Sequence, residues 1–151
     1  MRARDLADPF PTVPLDADAD AAEAARLLVT RRLPGLVVTS ADNRPYAVLG
    51  ASQVLRFVLP GFLLDDPSSG RAYGEAAAAE VSARLSTRTV RDVLPADTTE
   101  IPAVDPDATP LEVAAMMTQR HSPLVAVVDG QRLAGVVTAT RVLAALLPRP
   151  E

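Results

Sequence analysis

The two halves of this chain carry the same residues in the same order. Arg4-Asp5-Leu6 returns as Arg91-Asp92-Val93, and Asp16-Ala17-Asp18-Ala19 returns as Asp105-Pro106-Asp107-Ala108. The series continues with Glu23 and Glu112, Ala25 and Ala114, Arg31 and Arg120, Pro34 and Pro123, Val38 and Val127, Val48 and Val136, Ala51 and Ala139, Val54 and Val142, Leu55 and Leu143, and Leu59 and Leu147. A repeat of this length predicts two similar half-domains about a pseudo-twofold axis, with related clefts between them. It favours a symmetric binding module over a single catalytic pocket.

Composition narrows the class of protein. Hydrophobic residues make up 48% of the 151 residues, so a packed core is expected, and with 3% aromatics it must consist of Val, Leu and Ala. The net charge of −4 argues against a general nucleic-acid binder, and the absence of cysteine fits a reducing cytoplasm. All 15 basic residues are Arg, which together with the high Ala content is typical of a GC-rich bacterial genome. The start of the chain lacks an apolar signal core, and the apolar run 57–64 is far shorter than the ~20 residues of a membrane helix. We therefore expect a cytoplasmic protein without membrane insertion.

Each repeat predicts the order strand, helix, strand, strand, helix. Thr109-Pro110-Leu111-Glu112 opens a helix, since it combines a cap residue, a proline at the first helical position and a glutamate suited to a capping box. Ser122-Pro123 ends that helix, because the residue before proline avoids helical angles. Asp129-Gly130 then separates two β-rich runs, as in a hairpin. The predicted strands are 12–15, 35–39, 46–49, 100–104, 124–128 and 133–137, and the valines expected to be buried in them are Val37, Val38, Val48, Val125, Val127, Val136 and Val137. The predicted helices are 20–32, 51–59, 109–120 and about 138–147.

These boundaries divide the chain into a first repeat (1–60), an inter-repeat loop and helix (61–88) and a second repeat (89–151). The insert should form a helix over about 74–85, with Glu80 and Arg84 paired on its outer face at i, i+4 spacing. Its inward residues are expected to be Ala77, Ala78, Val81 and Leu85. We expect this segment to be a spacer between the repeats; the alternative is a lid or a partner-docking element.

Two segments of the second repeat resemble a known family. Gly135-Val136-Val137-Thr138-Ala139-Thr140-Arg141-Val142-Leu143 is similar to the Gly-apolar-apolar-Thr/Ser-x-x-Asp segment of the tandem cystathionine-beta-synthase (CBS) domain pair, and Arg120-His121-Ser122-Pro123-Leu124-Val125-Ala126-Val127 to its helix end and second strand. Ala47 to Leu55 holds the corresponding place more loosely in the first repeat. With the duplication, the chain resembles a stand-alone bacterial CBS pair outside residues 61–88. The resemblance implies an α/β fold of two βαββα repeats related by a pseudo-twofold axis.

The resemblance also implies a function. CBS pairs are regulatory modules that bind adenosine-containing ligands in clefts between the repeats, where the Thr/Ser hydroxyl and the Asp three residues later hold phosphate and ribose. Here Thr138 keeps the hydroxyl and Arg141 replaces the aspartate, while the first repeat has Gly50 and Gln53 at these positions, with Ser52 nearby. Arg141 cannot accept a hydrogen bond, so the cleft is either retuned toward an anionic ligand or has lost nucleotide binding. The candidate ligand-binding residues are Thr138, Arg141, His121, Ser122, Pro123, Gln53 and Ser52.

Two functional classes follow. The first is a sensor that needs no cofactor, binds AMP, ADP, ATP or S-adenosylmethionine, and acts in trans on an effector protein. The second is a structural dimerisation module without a small-molecule ligand. An enzyme is not expected, because no set of nucleophile, base and metal ligands is present. His121 is the only histidine and is more simply read as a surface residue, and Asp16-x-Asp18-x-Asp20 has Ala21 where a calcium loop needs glycine.

The last helix of each repeat predicts a homodimer. Members of the resembled family commonly pair two chains through these helices. Here the helices carry more apolar residues than one intramolecular contact needs, and an exposed apolar stripe of that size would be a liability in a monomer. The residues are Val54, Leu55, Val58 and Leu59 in the first repeat and Val142, Leu143, Leu146 and Leu147 in the second.

Overall fold

The predicted order of elements is confirmed in both repeats. The computed structural model describes residues 1–15, 20–94 and 101–148. In chain order the elements are α1 (Ala3–Leu6), β1 (Thr12–Pro14), α2 (Ala21–Thr30), β2 (Gly35–Ser40), β3 (Arg44–Gly50), α3 (Ala51–Val58), α4 (Gly61–Asp65), α5 (Gly70–Thr87), α6 (Val90–Val93), β4 (Ala103–Val104), α7 (Pro110–Arg120), β5 (Leu124–Asp129), β6 (Arg132–Thr138) and α8 (Ala139–Leu146). Within the predicted strand 100–104, Glu100 lies outside the described residues.

The strands form two three-stranded sheets with the orders β1-β2-β3 and β4-β5-β6. In each sheet the first pair is parallel and the second antiparallel. The parallel pair needs the crossover helix α2 or α7, whereas the antiparallel pair is joined by a tight turn. In the second repeat that turn contains Gly130 with a φ of 66°, a conformation that glycine adopts without steric cost. The fold is therefore the mixed α/β fold that the sequence predicts.

The middle strands carry the buried core. Six of the seven valines expected to be buried are so: Val37, Val38, Val125, Val127, Val136 and Val137. Val48 is half-buried, since it lies at the edge of a cluster between the two sheets. Fully buried Val37, Leu124 and Val136 form the centre of this cluster. A Cβ at Gly35 would lie 3.3 Å from Leu124 Cδ2, so glycine permits the close approach of the two repeats there.

Each repeat is completed by a short helix that lies at the start of the other repeat. Ala3 and Leu6 of α1 are buried in the second-repeat core, with Val113 and Val137 among their neighbours. Conversely, α6 buries Val90 and Val93 in the core of the first repeat. We call α1 and α6 the leading helices. Because each core combines residues of its own repeat with a helix from elsewhere in the chain, neither repeat is fully packed without the other.

Backbone hydrogen bonds hold α1 and the residues after it onto the second repeat. The Ala3 N–H donates to the Ala108 carbonyl at 2.7 Å, and Arg4 forms an ion pair with Asp107. Asp8 then pairs with Val136 in the antiparallel manner, through hydrogen bonds of 2.9 and 3.0 Å. These contacts make residues 3–8 an extension of the second repeat.

The insert helix is longer than predicted and packs as a cover on the first repeat. α5 contacts α2 and α3, with Ala77 buried and Val81 and Leu85 half-buried. The prediction that Ala78 points inward is wrong, because that side chain is exposed. The predicted outer pair is confirmed, with Arg84 Nη2 3.8 Å from Glu80 Oε1. Ala77 is the one fully buried side chain among those described on α5, so the helix rests on the first repeat along a narrow strip.

The first prediction tests how residues 3–8 are attached. A Cβ at Gly135 would lie 2.8 Å from the Ala7 Cβ, so Gly135→Ala forces the segment away from β6. Overpacking of this kind costs about 1–3 kcal/mol of unfolding free energy. Gly74→Ala is the matched control, since its Cβ meets nothing within 4 Å on α5 and should stabilise the protein by about 0.5–1 kcal/mol. Chemical denaturation measures both, and equal effects of the two substitutions would contradict the packing described.

The second prediction concerns pH and α6. The Thr89 N–H donates to the Asp92 carboxylate at 3.0 Å, while the Thr89 hydroxyl accepts from the Asp92 N–H at 3.3 Å. Hydrogen bonds to the Asp92 carboxylate, first from the Thr89 backbone and second from the Thr89 side chain, lower the pKa of Asp92. The stabilisation is therefore complete above the unfolded-state pKa of about 4 and is lost as the pH falls through the lower folded-state value. Asp92→Asn should lower stability at neutral pH and flatten its decline below about pH 4. Parallel decline in both proteins would contradict this role.

Candidate ligand-binding site

The predicted second-repeat residues meet where β6 ends and α8 begins. Thr138 is the N-cap of α8, and its hydroxyl accepts a hydrogen bond of 3.4 Å from the Arg141 N–H. The Ala139 N–H donates to the Pro123 carbonyl at 3.0 Å. This bond joins the turn after α7 to the first turn of α8. Thr138, Arg141 and Pro123 are thus brought together, as the sequence predicts.

The turn between α7 and β5 is held by its own side chains. The Ser122 hydroxyl donates to the Leu124 carbonyl at 2.6 Å and accepts from the Leu124 N–H at 3.4 Å. His121 ends α7 in the left-handed conformation with a φ of 49°, and its side chain is exposed. A non-glycine residue in this conformation is uncommon. Ser122 therefore shapes the turn, whereas the His121 ring is accessible beside it.

The first-repeat residues lie at the corresponding start of α3. Gly50 is the N-cap and supplies no side-chain hydrogen bond; Ser52 is exposed and Gln53 half-buried. A Cβ at Gly50 would meet only the Ser52 Oγ, at 3.9 Å, so there is room for a hydroxyl that the sequence does not provide. The two helix starts are connected through the strands. Gly50 lies opposite Gly35, Gly35 contacts Leu124, and Leu124 lies opposite Thr138.

The first turns of α3 and α8 contain no acidic residue. Both helices therefore keep the positive potential of their N-terminal N–H groups, and Arg141 adds a full positive charge in the first turn of α8. The other threonine-capped helices differ, because Thr89 is followed three residues later by Asp92 and Thr109 by Glu112. A cation in the first turn opposes the helix dipole. The charge of Arg141 is therefore unfavourable at the start of α8, and a bound anion would offset it.

Within residues 1–15, 20–94 and 101–148, no group of three or more His, Cys, Asp or Glu side chains is placed to hold a metal ion. Asp16 and Asp18, which imitate the start of a calcium loop, lie outside these ranges. A cavity of about 520 Å³ lies at the insert between the repeats and is lined by Phe62, Ser69 and Ala77. It includes none of the predicted ligand-binding residues.

Comparison with known proteins identifies the family. The CBS domain model matches residues 90–148. A CBS domain-containing protein of unknown function from Kribbella flavida DSM 17836 is 45% identical and covers 97% of this chain and 98% of its own, with a TM-score of 0.82. The CBS domain of a CBS domain containing membrane protein from Sphaerobacter thermophilus is 19% identical over 97% of this chain and 88% of that one (TM-score 0.71). CBSX2 in complex with AMP is 17% identical over 95% and 94% (TM-score 0.66). No curated protein matches this chain.

The chain belongs to the CBS-domain family. CBS-domain proteins are regulatory modules, and some of them bind AMP. The family model covers the second repeat alone, and the likeness of the first repeat rests on the full-length structural matches. No helix among the described residues is both long and apolar enough to traverse a bilayer.

The third prediction tests the electrostatic strain at α8. Replacing Arg141 by Glu removes a cation from the helix N-terminus and allows the reciprocal capping box with Thr138. Arg141→Glu should therefore raise the free energy of unfolding by about 0.5–1 kcal/mol in the absence of ligand. Arg120→Glu is the control at the opposite helix end, in the last turn of α7, where a negative charge is unfavourable and stability should fall. A lower stability of Arg141→Glu would show that the guanidinium is held by a partner in the free protein.

Proposed function

We propose that this chain is a cytoplasmic regulatory module that binds an adenosine-containing ligand in the cleft between its repeats, forms a homodimer and acts in trans on an effector protein. In this proposal residues 1–60 and 89–151 are two repeats about a pseudo-twofold axis, linked by 61–88. AMP, ADP and ATP fit better than uncharged adenosine or the cationic sulfonium of S-adenosylmethionine. The observation that carries the preference is the first turn of α8, which combines a threonine cap with Arg141 and lacks an acid.

The chemistry of the site supports a phosphate at this place. The N-terminus of α8 carries positive potential, although the Ala139 and Arg141 N–H groups already donate to Pro123 and Thr138. The Arg141 guanidinium can add a charge-assisted hydrogen bond to a phosphate. Arg141 is exposed and stands three residues after Thr138, on the same side of the helix, so both can approach one phosphate. His121, Ser122 and Pro123 border this position, and we propose Ser52 and Gln53 for the more weakly equipped first-repeat cleft. Gln53 can hydrogen-bond a ribose without charge assistance.

The alternative is a structural module without a small-molecule ligand. Two observations favour it: Gly50 provides no hydroxyl at α3, and the Thr138 hydroxyl already accepts the Arg141 N–H. The Thr138 hydroxyl also lies 3.2 Å from the Thr140 hydroxyl, and with Thr140 as the donor of that hydrogen bond the Thr138 proton stays available to a phosphate. The two classes therefore differ in one measurable property, which is nucleotide binding.

The fourth prediction distinguishes a nucleotide-binding sensor from a structural module without a small-molecule ligand. The protein should show a higher melting temperature with AMP, ADP or ATP than with adenosine, since a ligand that binds the folded state stabilises it. Calorimetry should give an affinity that weakens with added salt, because the proposed contact is ionic. Arg141→Ala should reduce nucleotide affinity at least tenfold, equivalent to about 1.4 kcal/mol. Arg71→Ala, an exposed arginine on α5, should leave it unchanged.

Two results would contradict the proposal. Unchanged affinity in Arg141→Ala would remove this residue from the site. No binding of any adenine nucleotide at millimolar concentration would support the structural alternative.

A further inference from the structure

The insert between the repeats contains a cavity of its own. The turn Pro67–Ser69 joins α4 to α5, and a Cβ at Gly70 would lie 3.6 Å from Leu63 Cδ2, so α4 packs against the start of α5. The cavity of about 520 Å³ between these elements, which we call the insert cavity, is lined by Phe62, Ser69, Ala76, Ala77 and Glu80. Ligand pockets of about 300–1,000 Å³ combine mostly apolar walls with a few polar groups. The insert cavity has the size and the lining of such a pocket.

The apolar part of the lining comes from α4 and α5. Ala76 and Ala77 lie on the side of α5 that also carries Glu80, since residues three and four apart share one side of a helix. Alanine side chains are short, so they leave space beside the helix that larger residues would fill. Phe62 on α4 lines the same space with an aromatic ring and is 46% exposed. These surfaces can bury the hydrocarbon body of a small molecule.

The polar groups of the lining accept hydrogen bonds. The Ser69 hydroxyl donates to Asp66 Oδ2 at 3.4 Å, which leaves its oxygen lone pairs as acceptors. The Glu80 carboxylate can only accept. Its Oε1 lies 3.8 Å from Arg84 Nη2, too far for a hydrogen bond, so this ion pair leaves the carboxylate able to accept from a ligand. A ligand that satisfies both Ser69 and Glu80 must therefore be a donor.

The charge of the insert favours a cation as that donor. Between residues 61 and 87 the net charge is −2, from two arginines and four acidic residues: Arg71, Arg84, Asp65, Asp66, Glu75 and Glu80. Hydrogen bonds from the Ser68 side chain and backbone lower the pKa of Asp66, so the carboxylate to which Ser69 donates is ionised at neutral pH. An aromatic ring also attracts a cation that lies within about 6 Å of its face. A neutral donor would use the same hydrogen bonds without these two attractions.

We propose that the insert cavity binds a primary organic ammonium ion with an apolar body. The body lies against Phe62, Ala76 and Ala77, and the ammonium group donates to Glu80 and Ser69. The insert cavity shares no residue with the nucleotide site proposed at α3 and α8, so the binding of a cation and of a nucleotide can be tested separately. The insert is then a ligand-binding element as well as a link between the repeats.

The fifth prediction compares three probes that share an indole ring and differ in charge: tryptamine is a cation, tryptophol is neutral and indole-3-acetate is an anion. The chain has no tryptophan, so the fluorescence anisotropy of a micromolar probe reports its binding as the protein is raised to millimolar concentration. Tryptamine should bind roughly tenfold more tightly than tryptophol, because its ammonium group makes charge-assisted hydrogen bonds. Indole-3-acetate should bind more weakly than either, and added salt should weaken the binding of tryptamine but not of tryptophol.

A matched pair of substitutions tests the place of binding. Glu80→Gln should weaken tryptamine binding roughly fivefold or more, since it removes an ionic contact, and should have little effect on tryptophol. Glu75→Gln makes the same change on the same helix, but about 140° around it and outside the insert cavity, so the affinity should stay within about twofold. Arg84→Gln removes the competing cation and should strengthen tryptamine binding. Circular dichroism checks that each variant is folded.

Three results would overturn the inference. Equal affinities for tryptamine and tryptophol would show an apolar cavity without a preference for cations. Equal losses in Glu75→Gln and Glu80→Gln would attribute the affinity to the overall charge of α5. No tryptamine binding by the unmodified protein at millimolar concentration would remove the site altogether. None of these results bears on nucleotide binding, which AMP titration measures separately.

Discussion

The exchange of the leading helices is the constraint on which the rest of the structure depends. Val90 and Val93 fill the first core, and Ala3 and Leu6 fill the second, so each hydrophobic core is assembled from distant parts of the chain. The cluster of Val37, Leu124 and Val136 between the sheets then fixes the relative position of two repeats that already share helices. Because burial of apolar side chains is the main source of stability, the two repeats should unfold together. A displacement of one repeat therefore also moves the leading helix that it contributes to the core of the other repeat.

The start of α8 shows how this scaffold holds a locally unfavourable residue. Arg141 opposes the dipole of its own helix, while the hydrogen bond to Thr138 and the Ala139–Pro123 bond keep the first turn in place. Local conflicts of this kind are expected at functional sites, where stability elsewhere in the fold offsets them. The first repeat has no such conflict, since Gly50 and Gln53 are neutral. The starts of α3 and α8 therefore differ in charge and in capping.

Much of this structure follows from local sequence signals, and the remainder from contacts between distant residues. Valine-rich runs, Asp129-Gly130 and the Thr109-Pro110 start predict the strands, the hairpin and α7, because the relevant forces act over a few residues. Thr138 and Arg141 are three residues apart on a helix, so their proximity is equally local. The leading helices are only four residues long, so they show no hydrophobic periodicity. Thr89 and Asp92 form a capping box that indicates the start of α6. No local signal, however, indicates which of the two cores α6 packs into. Val58 on α3 is buried and its equivalent Leu146 on α8 is exposed, a difference that no periodicity of the sequence predicts.

The exchange has a consequence for the covalent continuity of the chain. Cutting the backbone within residues 61–69 would leave two fragments, each carrying the helix that completes the other. The fragments would have to open both cores before they could separate, so a nicked molecule should remain one particle. Within an intact chain the partner core is always present at high effective concentration, and the exchange is complete at any dilution. Two separate single-repeat chains could complete their cores only by swapping helices with each other. In this chain the same exchange takes place within one molecule.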